Sequence, residues 1–193
     1  MSYVDKRKSK YPISDIFLNR RSQRAMSQEP VTNEELMTLF EAARFAPSAY
    51  NDQPWRFVYA RKGTKLWQDL LDFMSPFNQS WAKDATVFVI LISKKFFDFN
   101  GNLSHTNSFD AGAAWMSFAL QGSISGLVVH AIADLDYNKV QKALDLPEEF
   151  KIEIIIALGK PGNKEQLPVG LQERESFSDR KPLEEIVFED KFK

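Results

Sequence analysis

Two uninterrupted apolar runs, Val87 to Ile92 and Ile154 to Leu158, constrain this chain more than any other feature of its 193 residues. Both are strand length, well short of the roughly 20 apolar residues that cross a bilayer, and neither alternates with polar residues as a strand with one wet face does. Such strands must be covered on both sides, so the remaining chain has to supply helices with apolar stripes. Ile13, Ile16 and Phe17 fall at helical spacing between Pro12 and Arg20. Thr32 and Glu35 make a T-x-x-E capping box ahead of Leu36, Leu39, Phe40 and Ala43, and Pro47 stops that repeat. Leu66, Leu70 and Leu71 predict a helix from about Thr64 to Met74, broken by Ser75-Pro76. A longer one is expected over Ser108 to Ser125, where Ala111, Gly112, Ala113 and Ala114 permit close backbone approach, Trp115 and Phe118 fill space, and Gly126 is the stop. Asp136 can cap a helix running to Leu144. Strands are expected at Trp55 to Arg61, Ala85 to Ile92, Leu127 to Ala133 and Ile152 to Leu158, with a polar tail after Gly159. No repeat, low-complexity tract or Gly/Ser linker interrupts the pattern, so residues 1–193 read as one domain with a mixed β-sheet flanked by helices.

Composition narrows the chemistry. The chain has no cysteine and only two histidines, His105 and His130, which removes thiolate redox chemistry and cysteine- or histidine-rich metal sites; redox work would need a borrowed cofactor. Lys and Arg number 25 against 26 Asp and Glu, a balance that argues against generic nucleic-acid or membrane binding. The basic surplus is local: Lys6, Arg7, Lys8, Lys10, Arg20, Arg21 and Arg24 face only Asp5 and Asp15 in the first 24 residues. Residues 1–10 are polar and lack the apolar region of a secretion signal, so a cytoplasmic protein is expected.

Two clusters could carry function. Arg20-Arg21-Ser22-Gln23-Arg24 sets three guanidinium groups and a hydroxyl on a turn just past a helix, and guanidinium forks suit phosphate; such a turn can equally be solvated surface. Residues 47–54, PSAYNDQP, put short polar side chains before the aromatic strand Trp55-Arg56-Phe57-Val58, an arrangement useful around a planar polar ligand or simply a capped turn with Trp55 in the core.

Taken together, about 25 residues apart and joined by a capped amphipathic helix, the clusters resemble the N-terminal pattern of the FMN-dependent nitroreductase family. That pattern is a basic R-R-S-x-R turn, a capped helix, then A-P-S-x-x-N-x-Q-P-W and a hydrophobic strand, and this chain shows Arg20 to Arg24 and Ala46 to Trp55. Further matches are Phe77-Asn78 before Asp84-Ala85, the small-residue helix from Asp110, Gly126-Leu127 leading to Asp136, Ala157 to Pro161, and Arg180 to Val187. The resemblance covers nearly the whole chain. It implies an α+β fold with a central mixed sheet, a homodimer with two FMN sites at the subunit interface, and a C-terminal segment that embraces the partner. It also implies that Arg20, Arg21, Ser22 and Arg24 hold the FMN phosphate, ribityl chain and pyrimidine edge, with Arg180 arriving from the tail and Asn78 bonding the pyrimidine. Pro47, Ser48, Ala49 and Asn51 would approach from the other subunit, and the backbone of Ile132, Ala133 and Asp134 would lie along the isoalloxazine.

The activity the resemblance implies is hydride transfer from NADH or NADPH through FMN to a small electron-poor acceptor, a nitroaromatic or quinone, by a ping-pong scheme with no catalytic side chain. Three positions depart from the family pattern. Ser178 stands where many members have a Lys, Asp134 where a Gly is usual, and Trp81 where some members are basic, which places more of the electrostatic burden on Arg24. Residues 93–107, with Phe96, Phe97, Phe99 and His105, are the segment available as a lid; His105 reads as a solvated loop residue and His130 as a packed or hydrogen-bonded strand residue. The alternatives are a specialised relative that dehalogenates, saturates an enone or degrades flavin, and a non-catalytic module that stores or senses FMN.

Overall fold

The computed structural model describes residues 7–192; Asp5 and Lys6, counted above in the basic stretch, lie outside them. Among the described residues, five strands form the sheet: β1 (Met26–Ser27), β2 (Trp55–Arg61), β3 (Val87–Lys94), β4 (Val128–Ile132) and β5 (Phe150–Pro161). β5 is the hub, pairing with β1, β3 and β4, while β2 pairs with the far edge of β3. The helices are α1 (Asp15–Asn19), α2 (Asn33–Arg44), α3 (Lys65–Asp72), α4 (Pro76–Ala82), α5 (Asn107–Ile124), α6 (Tyr137–Ala143) and α7 (Val169–Gln172).

The fold is the α+β arrangement expected, with helices on both sheet faces. The alternation within β3 makes the layers explicit: Val87, Val89 and Leu91 pack into the core under α2 and α5, whereas Phe88, Ile90 and Ile92 pack into the core shared with α3, α4 and α6. In place of a mixed sheet, every described pairing is antiparallel. The crossover through α5 does carry β4 back in the same direction as β3, but β5 inserts between them, so the two parallel strands are not neighbours. A one-residue register shift at Glu153 keeps Ile152 and Ile155 in the same core.

Local chemistry sets most boundaries. Thr32 Oγ1 accepts from Glu35 N–H at 3.1 Å and the Glu35 carboxylate accepts from Thr32 N–H at 2.7 Å, which completes the capping box of α2. Asp136 caps α6 through Lys139 N–H, and Gly126 ends α5 with a φ of 71°. α4 was not anticipated: Ser75 is its N-cap and Pro76 its first residue, a position where a missing N–H costs nothing. The tail is not merely polar, because Leu167 and Leu171 are buried in the core. Among the described residues, no helix is long and apolar enough to cross a membrane.

Candidate functional site

Residues 20–25 run between α1 and β1 without repeating structure, and side chains and backbone from distant segments hold them. An Arg7 guanidinium nitrogen donates to Arg20 O at 2.7 Å, His130 Nδ1 lies 2.8 Å from Gln23 O, Arg24 N–H donates to Glu175 Oε1 at 2.8 Å, and Gly162 N–H donates to Ala25 O at 3.0 Å. Arg21 also donates to the Glu175 carbonyl and stacks on Phe177, with 4.8 Å from guanidinium carbon to ring centre. The tail segment around Glu175 to Ser178 thus packs on the turn of its own chain.

This packing crowds positive charge. Arg7 and Arg180 both donate to the Ser178 hydroxyl, at 3.2 and 3.0 Å, and both to the Ser178 carbonyl. Burial, followed by the charges of Arg180, Arg20 and Arg21, holds the Arg7 guanidinium below its ordinary range, and Arg20 is lowered by burial and by Arg180. Among the described residues, no carboxylate comes within ion-pair distance of Arg7, Arg20, Arg21, Arg24 or Arg180. Arg24 is lowered chiefly by burial, partly offset by Glu175, and its Nε is buried with no hydrogen-bond partner. Such a set of guanidinium donors suits an anion.

Beside the turn, Arg24 lies over Trp81 at 5.9 Å and the Trp81 ring packs on His130 at 4.5 Å. Trp81 is fully buried, and its Nε1–H donates to Asn78 Oδ1 at 3.3 Å; Asn78 Nδ2 in turn donates to Asp134 O at 3.4 Å. Burial pushes His130 down to about 4, with Arg24 and Arg20 adding to the effect, so the imidazole is neutral near pH 7. A carbonyl only accepts, which puts the single ring proton on Nδ1. His130 is the packed, hydrogen-bonded strand residue that the sequence suggested, and His105 is an exposed loop residue.

Of the expected site residues, Arg20, Arg21, Ser22, Arg24 and Arg180 gather at the turn, and Asn78 and Asp134 adjoin it through Trp81 and His130. The Ile132 side chain is buried in the core, leaving only its backbone for a ligand, whereas Ala133 and Asp134 are exposed. Pro47, Ser48, Ala49 and Asn51 form a separate set. Asp110 at the start of α5 accepts from Ala49 N–H at 3.2 Å, and Tyr50, Asn51 and Gln53 all have positive φ, at 55°, 57° and 49°. No hydrogen bond or ion pair among the described residues joins this loop to the arginine turn. Sequence reasoning did not assign Arg7, Glu175, Trp81 or His130 to the site; Arg7 carried a signal as part of the basic first 24 residues and Trp81 as a departure from the family pattern, whereas Glu175 and His130 carried none toward the site.

The family model of the Nitroreductase family matches residues 18–77, a stretch that contains both the arginine turn and the strained loop. A solved structure described as an oxidoreductase containing FMN is 40% identical, with a TM-score of 0.93, covering 100% of this chain and 99% of that one. The NADH dehydrogenase of Thermus thermophilus is 29% identical over 88% of this chain and 92% of its own. The 5,6-dimethylbenzimidazole synthase of Rhodospirillum rubrum is 25% identical over 86% and 89%. With the arginine turn and its loop inside the matched stretch and likeness running the full length of the chain, this protein belongs to the nitroreductase family.

Proposed function

We propose that the chain is an FMN-dependent oxidoreductase that uses NADH or NADPH to reduce a small electron-poor acceptor such as a nitroaromatic or quinone. The observation that carries this reading is the group of guanidinium side chains from both ends of the chain with no carboxylate in ion-pair reach, a donor set suited to a dianionic phosphate. Arg20, Arg21, Ser22 and Arg180 would hold the phosphate and ribityl chain, Arg24 the pyrimidine edge with its unpartnered Nε, Asn78 the pyrimidine, and the backbone of Ile132, Ala133 and Asp134 the ring. Arg7 joins them and supplies the charge that Ser178 lacks. The presence of FMN in the 40% identical relative supports the cofactor, and the name of the Thermus protein supports a nicotinamide reductant. When bound, FMN supplies hydride and electron transfer.

The protein's part is positional and electrostatic. The arginines neutralise the phosphate, neutral His130 adds no further positive charge, and a guanidinium at position 24 favours negative charge on a neighbouring ring. No side chain is assigned as nucleophile or general base. Pro47, Ser48, Ala49 and Asn51 would complete the site of a second copy, giving a homodimer with two sites and the C-terminal segment lying on the partner. Exposed Phe109, Met116 and Ile124 on one face of α5, exposed Ile13 just before α1 and Phe17 within it, and exposed Leu183, Ile186 and Val187 in the tail support that assembly.

The purified protein is expected to be yellow, with flavin absorption that the double substitution Arg20→Ala with Arg180→Ala abolishes, and anaerobic NADH or NADPH should bleach it. A colourless protein that takes up no added FMN sinks the proposal; bound flavin that neither nicotinamide reduces restricts it to flavin binding. A more specialised acceptor chemistry is favoured by the likeness to the Rhodospirillum synthase, and turnover with a panel of acceptors separates the two.

A further inference from the structure

We propose that His130, Trp81 and Asn78 form a brace that fixes the spacing between the arginine turn and the loop after β4, and that His130 and Trp81 are positioning residues for cofactor binding. The inference rests on the FMN reading above. The turn carries like charges that repel one another, and beyond the Arg20 N–H bond to Ile16 O at the end of α1 its backbone shape depends on the four anchors that hold Arg20 O, Gln23 O, Arg24 N–H and Ala25 O. Three of those anchors come from the chain termini or a turn. The fourth, His130, stands on β4, which is paired along its length with β5.

From Gln23 O the contacts run without a gap: the His130 Nδ1–H bond, the His130–Trp81 ring contact, the indole N–H bond to Asn78 Oδ1, and the Asn78 amide bond to Asp134 O. Ser75 N–H also donates to Asp134 O, and Asp136 N–H donates to Phe73 O, so the loop end of the brace is tied to the junction of α3 and α4. Two segments more than 100 residues apart in sequence are thereby held at one separation. Both segments are proposed to hold the coenzyme, the turn its phosphate, ribityl chain and pyrimidine edge and the loop the face of its ring. Trp81 further serves as the surface against which Arg24 rests, at 5.9 Å, which limits where that guanidinium can point. A side chain without an aromatic ring at 81 would leave His130 and Arg24 without this wall.

The test compares His130→Leu, His130→Asn and Trp81→Phe in the full chain, reading FMN dissociation constants by flavin fluorescence, melting temperature, and amide exchange of residues 20–25 without FMN. His130→Leu is expected to raise the dissociation constant at least tenfold and to speed exchange at Arg24. His130→Asn, whose amide N–H can take the place of Nδ1–H, should return it to within about threefold of wild type. Trp81→Phe keeps the ring contact but drops the bond to Asn78, so it should weaken FMN several-fold and remains informative if His130→Leu does not fold. Wild-type affinity in both His130→Leu and Trp81→Phe overturns the brace. So does equal weakening by Leu and Asn at 130, since the donor would then be irrelevant. A wild-type protein that fails to bind FMN is a different result, which removes the underlying reading and the brace with it.

Discussion

Replacing Arg180 by Gln should stabilise the protein without cofactor while weakening its grip on FMN, and these opposite signs distinguish a binding residue from a structural one. Arg180 and Arg7 donate to the same Ser178 hydroxyl at 3.0 and 3.2 Å, so their nearest nitrogens are no more than about 6 Å apart. At that distance two unit charges repel by about 0.7 kcal/mol in water and about 3 kcal/mol at an effective dielectric of about 20. Arg180 is exposed, and salt screens the pair further, so the relief on removing one charge is about 0.5–1 kcal/mol. Little is lost in exchange, because the Arg180 hydrogen bonds all end on Ser178 and Asp179, its near neighbours in sequence. For a chain of this size that corresponds to a melting temperature raised by about 1–4 °C. Against phosphate the balance reverses: losing a charge-assisted bond costs about 1.5–3 kcal/mol, or roughly 10- to 150-fold in the FMN dissociation constant. Riboflavin has no phosphate and should bind wild type and variant alike. Thermal unfolding and fluorescence titration with both flavins decide the matter. A lower melting temperature for Arg180→Gln, or an equal loss for FMN and riboflavin, refutes the electrostatic reasoning.

Stability should depend on pH through His130, whose folded value of about 4 lies below the roughly 6.5 of an unfolded histidine. Its contribution is complete above pH ~6.5 and lost as pH falls toward ~4, with a slope of up to ~1.4 kcal/mol per unit. Denaturant titrations of wild type should show that fall and those of His130→Leu a flatter profile; the carboxylates held low, Glu35 and Asp136 among them, respond only at more acid pH. Thr32→Ala breaks the capping box of α2 and should cost about 1 kcal/mol in chemical denaturation while leaving the FMN affinity of the folded protein unchanged. Gly162→Ala should destabilise by about 1–3 kcal/mol or more and also weaken FMN binding, because a Cβ there overlaps the Met26 carbonyl and the Ser27 amide and displaces the bond from Gly162 N–H to Ala25 O.

What could be read from sequence was whatever is decided within a few residues. The Thr32 box, the Asp136 cap, the Gly126 stop and the strand from Trp55 to Arg61 all stand where local chemistry put them. α4 escaped because Ser75-Pro76 looks the same whether it ends one helix or begins the next. β1 escaped because two residues carry no period, and the antiparallel sheet escaped because inserting β5 between β3 and β4 is a tertiary choice that no window reveals. The site shows the same division. The arginine turn was legible as a run of residues, and Arg180 through a family resemblance. Glu175 accepting from Arg24 lies 151 residues away, and His130 contacting Gln23 lies 107 away, separations over which a single sequence offers no pattern.

The place of β5 has a consequence for how the chain is made. Its partner β3 is complete by Lys94, yet the strand that covers its second edge emerges only after Phe150. A ribosome adding about 5–20 residues per second leaves that interval open for several seconds. Meanwhile Val87 to Ile92 offers unpaired amides on a strand of uniformly apolar side chains, the type of surface on which nascent polypeptides stick to one another. Stop codons or proteolytic nicks anywhere between 95 and 150 should therefore yield insoluble fragments or products retained by chaperones.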